Sequence, residues 1–154
     1  MSILEVLNDD LSNIDKVLSA YGDLFTEAKQ DISINNKTLQ QANMEQASNY
    51  ARFDQIRVEL EIITEAAELK VNQVRMQAIR QILRDVQKTY GERMLDKMVD
   101  DNPSYIKYYK IYLKCKEMFA KSKSIVDAMS QRGYALNNIT KTKVAALEET
   151  ILYD

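Results

Sequence analysis

The stretch that decides the fold is residues 53–86, FDQIRVELEIITEAAELKVNQVRMQAIRQILRDV. Its apolar residues recur at steps of three and four, which places them on one face of an α-helix. The residues of this stripe are Phe53, Ile56, Leu60, Ile63, Ala67, Val71, Val74, Ala78, Ile82 and Val86. No glycine or proline follows until Gly91, where we expect the helix to end or kink. We expect it to begin at a cap supplied by Asn35 or Asn36.

The composition of the whole chain also favours helices. Only three glycines and one proline occur in 154 residues, which is too few for the turns of a sheet protein. Apolar residues make up 45% of the chain, which is enough for a core. The central apolar stripe is longer than the rest of a small chain can cover, so self-association is expected. We therefore predict an all-α homo-oligomer with a long central helix.

Both ends of the chain carry patterns that predict assembly helices. Near the N-terminus, apolar residues at heptad spacing predict a coiled-coil segment in residues 1–30, paired between subunits or within one chain. These residues are Leu4, Leu7, Leu11, Ile14, Leu18, Tyr21 and Phe25. At the other end, a helix from Asn138 to Leu152 carries three apolar residues on one side. Val144, Leu147 and Ile151 therefore predict an oligomerisation helix in residues 138–154, which leaves residues 31–137 as the helical body.

A further helix is predicted between these segments. Residues 100–104, Asp-Asp-Asn-Pro-Ser, combine a cap and a proline in the arrangement that begins a helix. We expect this helix to run from Tyr105 to Gln131 and to end at Gly133 as its C-terminal cap. Its heptad-spaced residues predict a buried seam: Tyr105, Tyr108, Tyr112, Cys115, Phe119, Ser122, Val126 and Met129.

Charge is distributed unevenly along the chain, although the net charge is only −2. Residues 1–69 contain 5 lysines and arginines against 13 acidic residues. Residues 70–97 contain 7 against 3, and residues 104–143 contain 9 against 2. This polarity indicates either a surface for an anionic partner or packing between oppositely charged helices.

The sequence lacks the residues that most enzymes use. It has no histidine, no glycine-rich phosphate loop and one cysteine, Cys115, which falls on the predicted seam. The row of Glu61, Glu65 and Glu68 is more typical of a solvated helix face than of a metal site. No unbroken apolar run is long enough to cross a membrane, and no signal peptide is evident. We therefore expect a soluble, cytoplasmic, non-enzymatic protein with no cofactor, metal or membrane partner.

Two sets of residues are candidates for binding nucleic acid. A basic band on the long helix comprises Lys70, Arg75, Arg80, Arg84 and Lys88, and such a band could follow a phosphate backbone or simply be a solvated face. The segment 105–116 interleaves tyrosines with lysines, the combination with which proteins bind single strands. Because three of its tyrosines lie on the seam, Tyr109 is the best stacking candidate, supported by Lys107, Lys110 and Lys114.

Residues 127–136, Asp-Ala-Met-Ser-Gln-Arg-Gly-Tyr-Ala-Leu, carry a resemblance to a known family. They resemble the Asp-Ala-aliphatic-x-x-Arg-Gly-aromatic-Ala-aliphatic signature of the UvsY family of phage recombination mediators. Residues 31–34, Leu39-Gln40, Ala42 and the pair Tyr50 and Phe53 are also similar to that family's N-terminal pattern. In the matching stretch, Gly133 is expected to stop the helix, with Tyr134 and Leu136 folding back as apolar anchors.

The resemblance implies a homo-oligomeric protein that binds single-stranded DNA. Members of this family help to load a recombinase onto DNA occupied by single-strand-binding protein, and their C-terminal helix drives assembly. The family's compact Leu-Lys-Ala-Arg motif is absent here; Lys70 and Arg75 lie in the comparable region at a different spacing. A non-enzymatic coiled-coil structural or scaffold protein, such as a virion component, is the alternative that the N-terminal heptads favour.

Overall fold

A computed structural model describes residues 13–35, 37–85 and 90–151 of the chain. These ranges contain four α-helices, which we number α1 to α4. They are Ile14–Ile32 (α1), Leu39–Asp85 (α2), Glu92–Asp100 (α3) and Pro103–Ile151 (α4). No strand occurs in the described ranges, so the predicted all-α class is confirmed. Within the same ranges, no helix combines the length and apolar character that a membrane span requires.

The chain divides into two compact units that do not follow the three predicted segments. The first unit comprises Met1–Ala20 and Glu59–Phe119, and the second comprises Tyr21–Val58 and Ala120–Asp154. Helices α1, α2 and α4 each contribute residues to both units.

The core of the first unit is built on the predicted apolar stripe of α2. Its buried residues in this unit are Leu60, Ile63, Ala67, Val71, Val74 and Ala78. Ile14 and Leu18 of α1, Val99 of α3, and Ile111 and Cys115 of α4 are buried in the same unit. The stripe is therefore confirmed over most of its length, but the expectation that one chain is too small to cover it is wrong, because these residues are buried within a single chain. Ile82 is half-buried, and Val86 lies outside the described residues.

The core of the second unit combines the other parts of the three long helices. Its buried apolar residues are Tyr21, Ala28, Ala42, Phe53, Ile56, Val126, Met129 and Leu136. Of the N-terminal heptad residues, Ile14, Leu18 and Tyr21 are thus buried within the described chain, and Phe25 is half-buried. The remaining three, Leu4, Leu7 and Leu11, lie outside the described residues.

The start of α2 shows how local sequence sets a helix boundary. At α2 the cap is Thr38 and not the predicted Asn35 or Asn36. The Gln41 backbone N–H donates to Thr38 Oγ1 at 3.2 Å, and the Thr38 N–H donates to Gln41 Oε1 at 3.1 Å. This reciprocal capping box satisfies two N–H groups that the helix itself leaves unpaired.

The two predicted breaks later in the chain are confirmed. Gly91 is extended, with φ −67° and ψ 151°, and caps α3. At α4, Asn102 Oδ1 accepts hydrogen bonds from the backbone N–H groups of Ser104 at 3.0 Å and Tyr105 at 3.1 Å. Pro103 occupies the first helical position, where its missing N–H costs nothing.

The predicted helix stop at Gly133 is wrong, because α4 continues through it to Ile151. There is accordingly no separate helix beginning at Asn138. Tyr134 does not fold back as an anchor either, since 64% of its surface is exposed, whereas Leu136 is buried as predicted. The role of Gly133 is to leave space: a Cβ at this position would lie 2.9 Å from Nε2 of Gln46.

Gln46 and Arg132 form a polar cluster inside the second unit. Arg132 is only 4% exposed, and its NH1 donates to the Ala42 carbonyl at 3.1 Å and to Oε1 of Gln46. Gln46 Nε2 in turn donates to the Met129 carbonyl at 2.7 Å. The remaining Arg132 donors, Nε and NH2, are buried without a partner in the described structure. The two hydrogen bonds of Gln46 therefore hold a buried cation between α2 and α4.

Candidate nucleic-acid interface

The basic residues predicted to form one band on α2 do not share a face. A step of five residues rotates an α-helix by about 140° from its starting direction, which separates Lys70 from Arg75 and Arg75 from Arg80. Arg75 instead pairs with a carboxylate on α3, since its NH2 lies 2.6 Å from Asp96 Oδ1. Lys88, the last member of the band, lies outside the described residues.

Lys70 approaches α4 and meets one of the predicted supporting lysines there. Its Nζ lies 5.6 Å from the centre of the Tyr108 ring, and Nζ of Lys107 lies 5.8 Å from the same centre. Both distances are within the range of a cation–π interaction. Two ammonium groups that are 37 positions apart in sequence thus converge on one half-buried ring. In the described part of the chain neither lysine forms an ion pair.

The other two supporting lysines lie on the same side of α4 as Lys107. Lys110 and Lys114 are three and seven residues further along, spacings that keep all three side chains on one flank of a helix. Lys114 Nζ forms an exposed ion pair with Asp15 Oδ1 at 2.8 Å, a kind of contact that stabilises little in water. We call Lys70, Lys107, Lys110 and Tyr108 the lysine cluster.

Three tyrosines form a row along a different flank of α4. The rings of Tyr105 and Tyr109 stack with centres 5.8 Å apart, and Tyr112 lies 6.2 Å from Tyr109 at a tilt of 43°. Lys116 Nζ lies 5.8 Å from the Tyr112 ring centre at the end of the row. Tyr109 is 41% exposed, so part of the row is accessible at the surface. Lys116, seven positions further along, lies on the same flank as Tyr109, whereas Lys107 and Lys110 are rotated from Tyr109 by about 160° and about 100°.

The seam predicted for α4 is confirmed only in its second part. Cys115, Ser122, Val126 and Met129 are buried, whereas Tyr105, Tyr108, Tyr112 and Phe119 are half-buried. The core position near the tyrosines is taken by Ile111, which the predicted seam omitted. The tyrosines are therefore displaced from the core toward the surface.

Arg80 and Arg84 lie on the outer side of α2, away from the lysine cluster. With Gln77 and Gln81 they line a shallow surface depression. Neither arginine forms an ion pair with another described residue. The four described cations of the predicted basic band therefore point in three directions: Lys70 toward Tyr108, Arg75 toward Asp96, and Arg80 and Arg84 toward this outer surface.

Cys115 is a core residue, as predicted. Its side chain is fully buried, and burial raises the pKa of the thiol to about 11 from an ordinary value of 9.0. Because the thiolate is the reactive form, a thiol this difficult to ionise is a poor nucleophile.

We expect Cys115 to react slowly with a thiol reagent such as 5,5′-dithiobis(2-nitrobenzoate) while the protein is folded. At pH 8, below both pKa values, the shift from 9.0 to about 11 reduces the thiolate fraction about a hundredfold, and burial hinders the reagent further. Absorbance at fixed pH in the absence and presence of denaturing urea measures both rates. Because the chain has one cysteine, the signal has one source; equal rates in both conditions would contradict a buried thiol.

The predicted C-terminal assembly residues are available on α4. Val144 and Leu147 are exposed, and the side chain of Ile151 lies outside the described part of the structure. Glu61, Glu65 and Glu68 do not gather into a metal site: in the described ranges no three His, Cys, Asp or Glu residues are grouped as metal ligands.

The chain was compared with family models, curated proteins and solved structures, and it matches none of them.

Proposed function

We propose that this chain is a homo-oligomeric single-stranded-DNA-binding recombination mediator, which promotes loading of a recombinase onto DNA occupied by single-strand-binding protein. The observation that carries the DNA-binding part is the convergence of Lys70 and Lys107 on Tyr108. Each ammonium group lies beside the Tyr108 ring without a carboxylate partner among the described residues, so a phosphate bound there would neutralise cations that are not already paired and would release counterions. Binding to the backbone through the lysine cluster would not depend on base sequence.

The tyrosine row supports the same proposal on a different physical ground. Single-strand binders combine cations for the backbone with aromatic rings on which bases stack. Tyr109 presents an exposed ring that is already stacked on Tyr105, and Lys116 supplies a nearby cation at the Tyr112 end of the row. The lysine cluster and the tyrosine row both belong to the first compact unit.

The mediator and assembly parts of the proposal rest on the resemblance of residues 127–136 to the UvsY family. That resemblance supplies the expected partners, a recombinase and a single-strand-binding protein. It also places assembly in the C-terminal helix, where Val144 and Leu147 are exposed on α4. Nucleotide chemistry would belong to the recombinase, so the mediator needs no cofactor of its own.

The salt dependence of binding to a labelled single-stranded oligonucleotide tests the proposed contacts. We expect the affinity to fall linearly with salt on logarithmic axes, with a slope of about −0.7 for each phosphate neutralised. Replacing Lys70 and Lys107 together by alanine should make the slope shallower by about 1.4, and should weaken binding to all sequences alike. Fluorescence anisotropy across a salt series measures both quantities.

The matched control is the Lys141→Ala/Lys143→Ala variant, which removes the same charge from two exposed lysines of the second unit. Its slope should equal that of the unsubstituted chain. If the unsubstituted chain shows no binding at low salt, the mediator proposal fails. If the Lys70→Ala/Lys107→Ala variant keeps the full slope, the lysine cluster is not the contact, and Arg80 and Arg84 become the next candidates.

A structural or scaffold role is the second candidate, and one observation favours it. Four apolar side chains of α2 are exposed at strict seven-residue spacing, on a helix whose other side forms the core. We call these residues the outer row: Ile62, Leu69, Met76 and Leu83. Exposed apolar residues in such a pattern are typical of helices that assemble with other helices.

A further inference from the structure

The outer row gives α2 a second apolar face within the first unit. Its four residues are exposed by 45% (Ile62), 60% (Leu69), 50% (Met76) and 49% (Leu83). A step of seven residues rotates the helix to within about 20° of two full turns, so the four side chains form one nearly straight line. Leu69 lies two positions from the buried residues Ala67 and Val71, which places the row about 160° from the core face.

The charges beside the outer row change sign at its middle. Glu61, Glu65 and Glu68 lie along its first half, and Arg80 and Arg84 lie along its second half; Lys70 and Arg75 are directed to Tyr108 and Asp96 instead. Among the described residues neither Glu65 nor Arg80 forms an ion pair, although both side chains are exposed. A surface with this polarity is complementary to itself when one copy is reversed.

We propose that the outer row is a self-association surface, on which α2 of a second copy of this chain packs in antiparallel orientation about a two-fold axis between residues 72 and 73. This axis places Ile62 level with Leu83 and Leu69 level with Met76, so that the two rows coincide over their full length. It also places the acidic half of each helix beside the basic half of the other. A two-fold interface of this kind is closed and pairs the same patch on both copies.

The acidic and basic residues nearest the row fall into matching positions in this arrangement. Glu65 is as far from the axis as Arg80, so each lies level with the other residue of the opposite copy. Gln77 and Arg80 also line the depression beside Met76, which offers amide and guanidinium donors to the second helix. A parallel pairing would instead set Glu65 beside Glu65 and Arg80 beside Arg80, and like charges at such positions oppose association.

This inference goes beyond single-stranded-DNA binding and does not rest on it. It assigns Arg80 and Arg84 to contacts with a second copy, which leaves the lysine cluster and the tyrosine row for DNA. The surface is also separate from the proposed C-terminal contacts of Val144 and Leu147. Loss of one kind of binding can therefore be observed while the other persists.

The first test is the mass of the full-length chain in solution, measured by sedimentation equilibrium over a concentration series. We expect the Leu69→Asp/Met76→Asp variant to show half the mass of the unsubstituted chain, because charges in the row prevent pairing. The matched control is Ile106→Asp/Leu113→Asp, which changes two exposed residues of α4 that are also seven positions apart. This control should keep the full mass.

The second test uses charge exchange to distinguish antiparallel pairing of two copies from other occupants of the row. Glu65→Arg and Arg80→Glu should each weaken self-association roughly tenfold, since each sets like charges against each other. The Glu65→Arg/Arg80→Glu double variant should restore it. A monomeric unsubstituted chain, or two single variants whose effects add instead of cancelling, would overturn the proposal. So would a Leu69→Asp/Met76→Asp variant that keeps its mass but unfolds more easily, because the row would then be covered within one chain.

Discussion

Replacing Gln46 by alanine is expected to lower the free energy of unfolding by about 2–3 kcal/mol, although Gln46 is only half-buried. The substitution removes the acceptor for NH1 of Arg132 and the donor to the Met129 carbonyl. Arg132 would then keep one partner, the Ala42 carbonyl, for a buried guanidinium whose Nε and NH2 already lack partners in the described structure. A buried charge that loses a hydrogen bond costs more than a neutral group does.

Urea denaturation followed by circular dichroism measures this loss. Gln40→Ala is the matched control, because it makes the same change at an exposed position of α2 and should alter stability by less than about 0.5 kcal/mol. In the Gln46→Ala background, Arg132→Met should recover stability, since an apolar side chain of similar length needs no acceptor. Equal effects of Gln46→Ala and Gln40→Ala would show that the cluster contributes nothing.

Features that depend on neighbouring residues in sequence were predicted well. The three-and-four spacing of residues 53–86 identified the core face of α2, and the residues around Pro103 identified the start of α4. Both follow from helix geometry and backbone chemistry, which act over a few residues. The cap of α2 is an exception among these local features: Thr38 and Gln41 have the spacing of a capping box, so the prediction of Asn35 or Asn36 is wrong although the signal is local.

The division of the basic band could also have been predicted from spacing alone. Steps of five residues do not keep side chains on one face, so Lys70 and Arg75 had to point in different directions. Which of these cations forms an ion pair and which stays exposed could not be predicted, because the partner of Arg75, Asp96, lies on another helix. The same holds for Tyr108, where Lys70 and Lys107 meet only through the packing of α2 against α4.

The outer row was present in the sequence but was hidden by a stronger signal. Residues 53–86 contain two apolar patterns on opposite sides of one helix, and the core stripe accounts for more of the apolar residues. A helix that is apolar on both sides packs on two partners. One of these partners is the rest of the first unit; for the other we propose a second copy of the chain.

Gly133 is the position where local propensity and tertiary structure disagree. Glycine is the residue most often found just past the end of a helix, and it costs about 1 kcal/mol in a helix interior, so the sequence favoured a stop. In the structure Gly133 lies inside α4, and the Gln46 side chain occupies the space where a Cβ would lie, which favours glycine at this position. Gln46 is 87 positions away in sequence, and no local pattern identifies this close approach.

The Ala135→Pro variant distinguishes a continuous α4 from a helix that ends at Gly133. Because α4 is continuous, we expect this substitution to lower the free energy of unfolding by about 3 kcal/mol or more. Inside a helix, proline removes a backbone hydrogen bond and its ring clashes with the carbonyl four residues earlier, whereas shortly after a helix end proline is common. Ala135 is exposed, so no core contact changes. Ala135→Gly is the control for propensity alone and should cost about 1 kcal/mol. If urea denaturation shows that the proline variant is as stable as the glycine variant, the helix stops at Gly133 in solution.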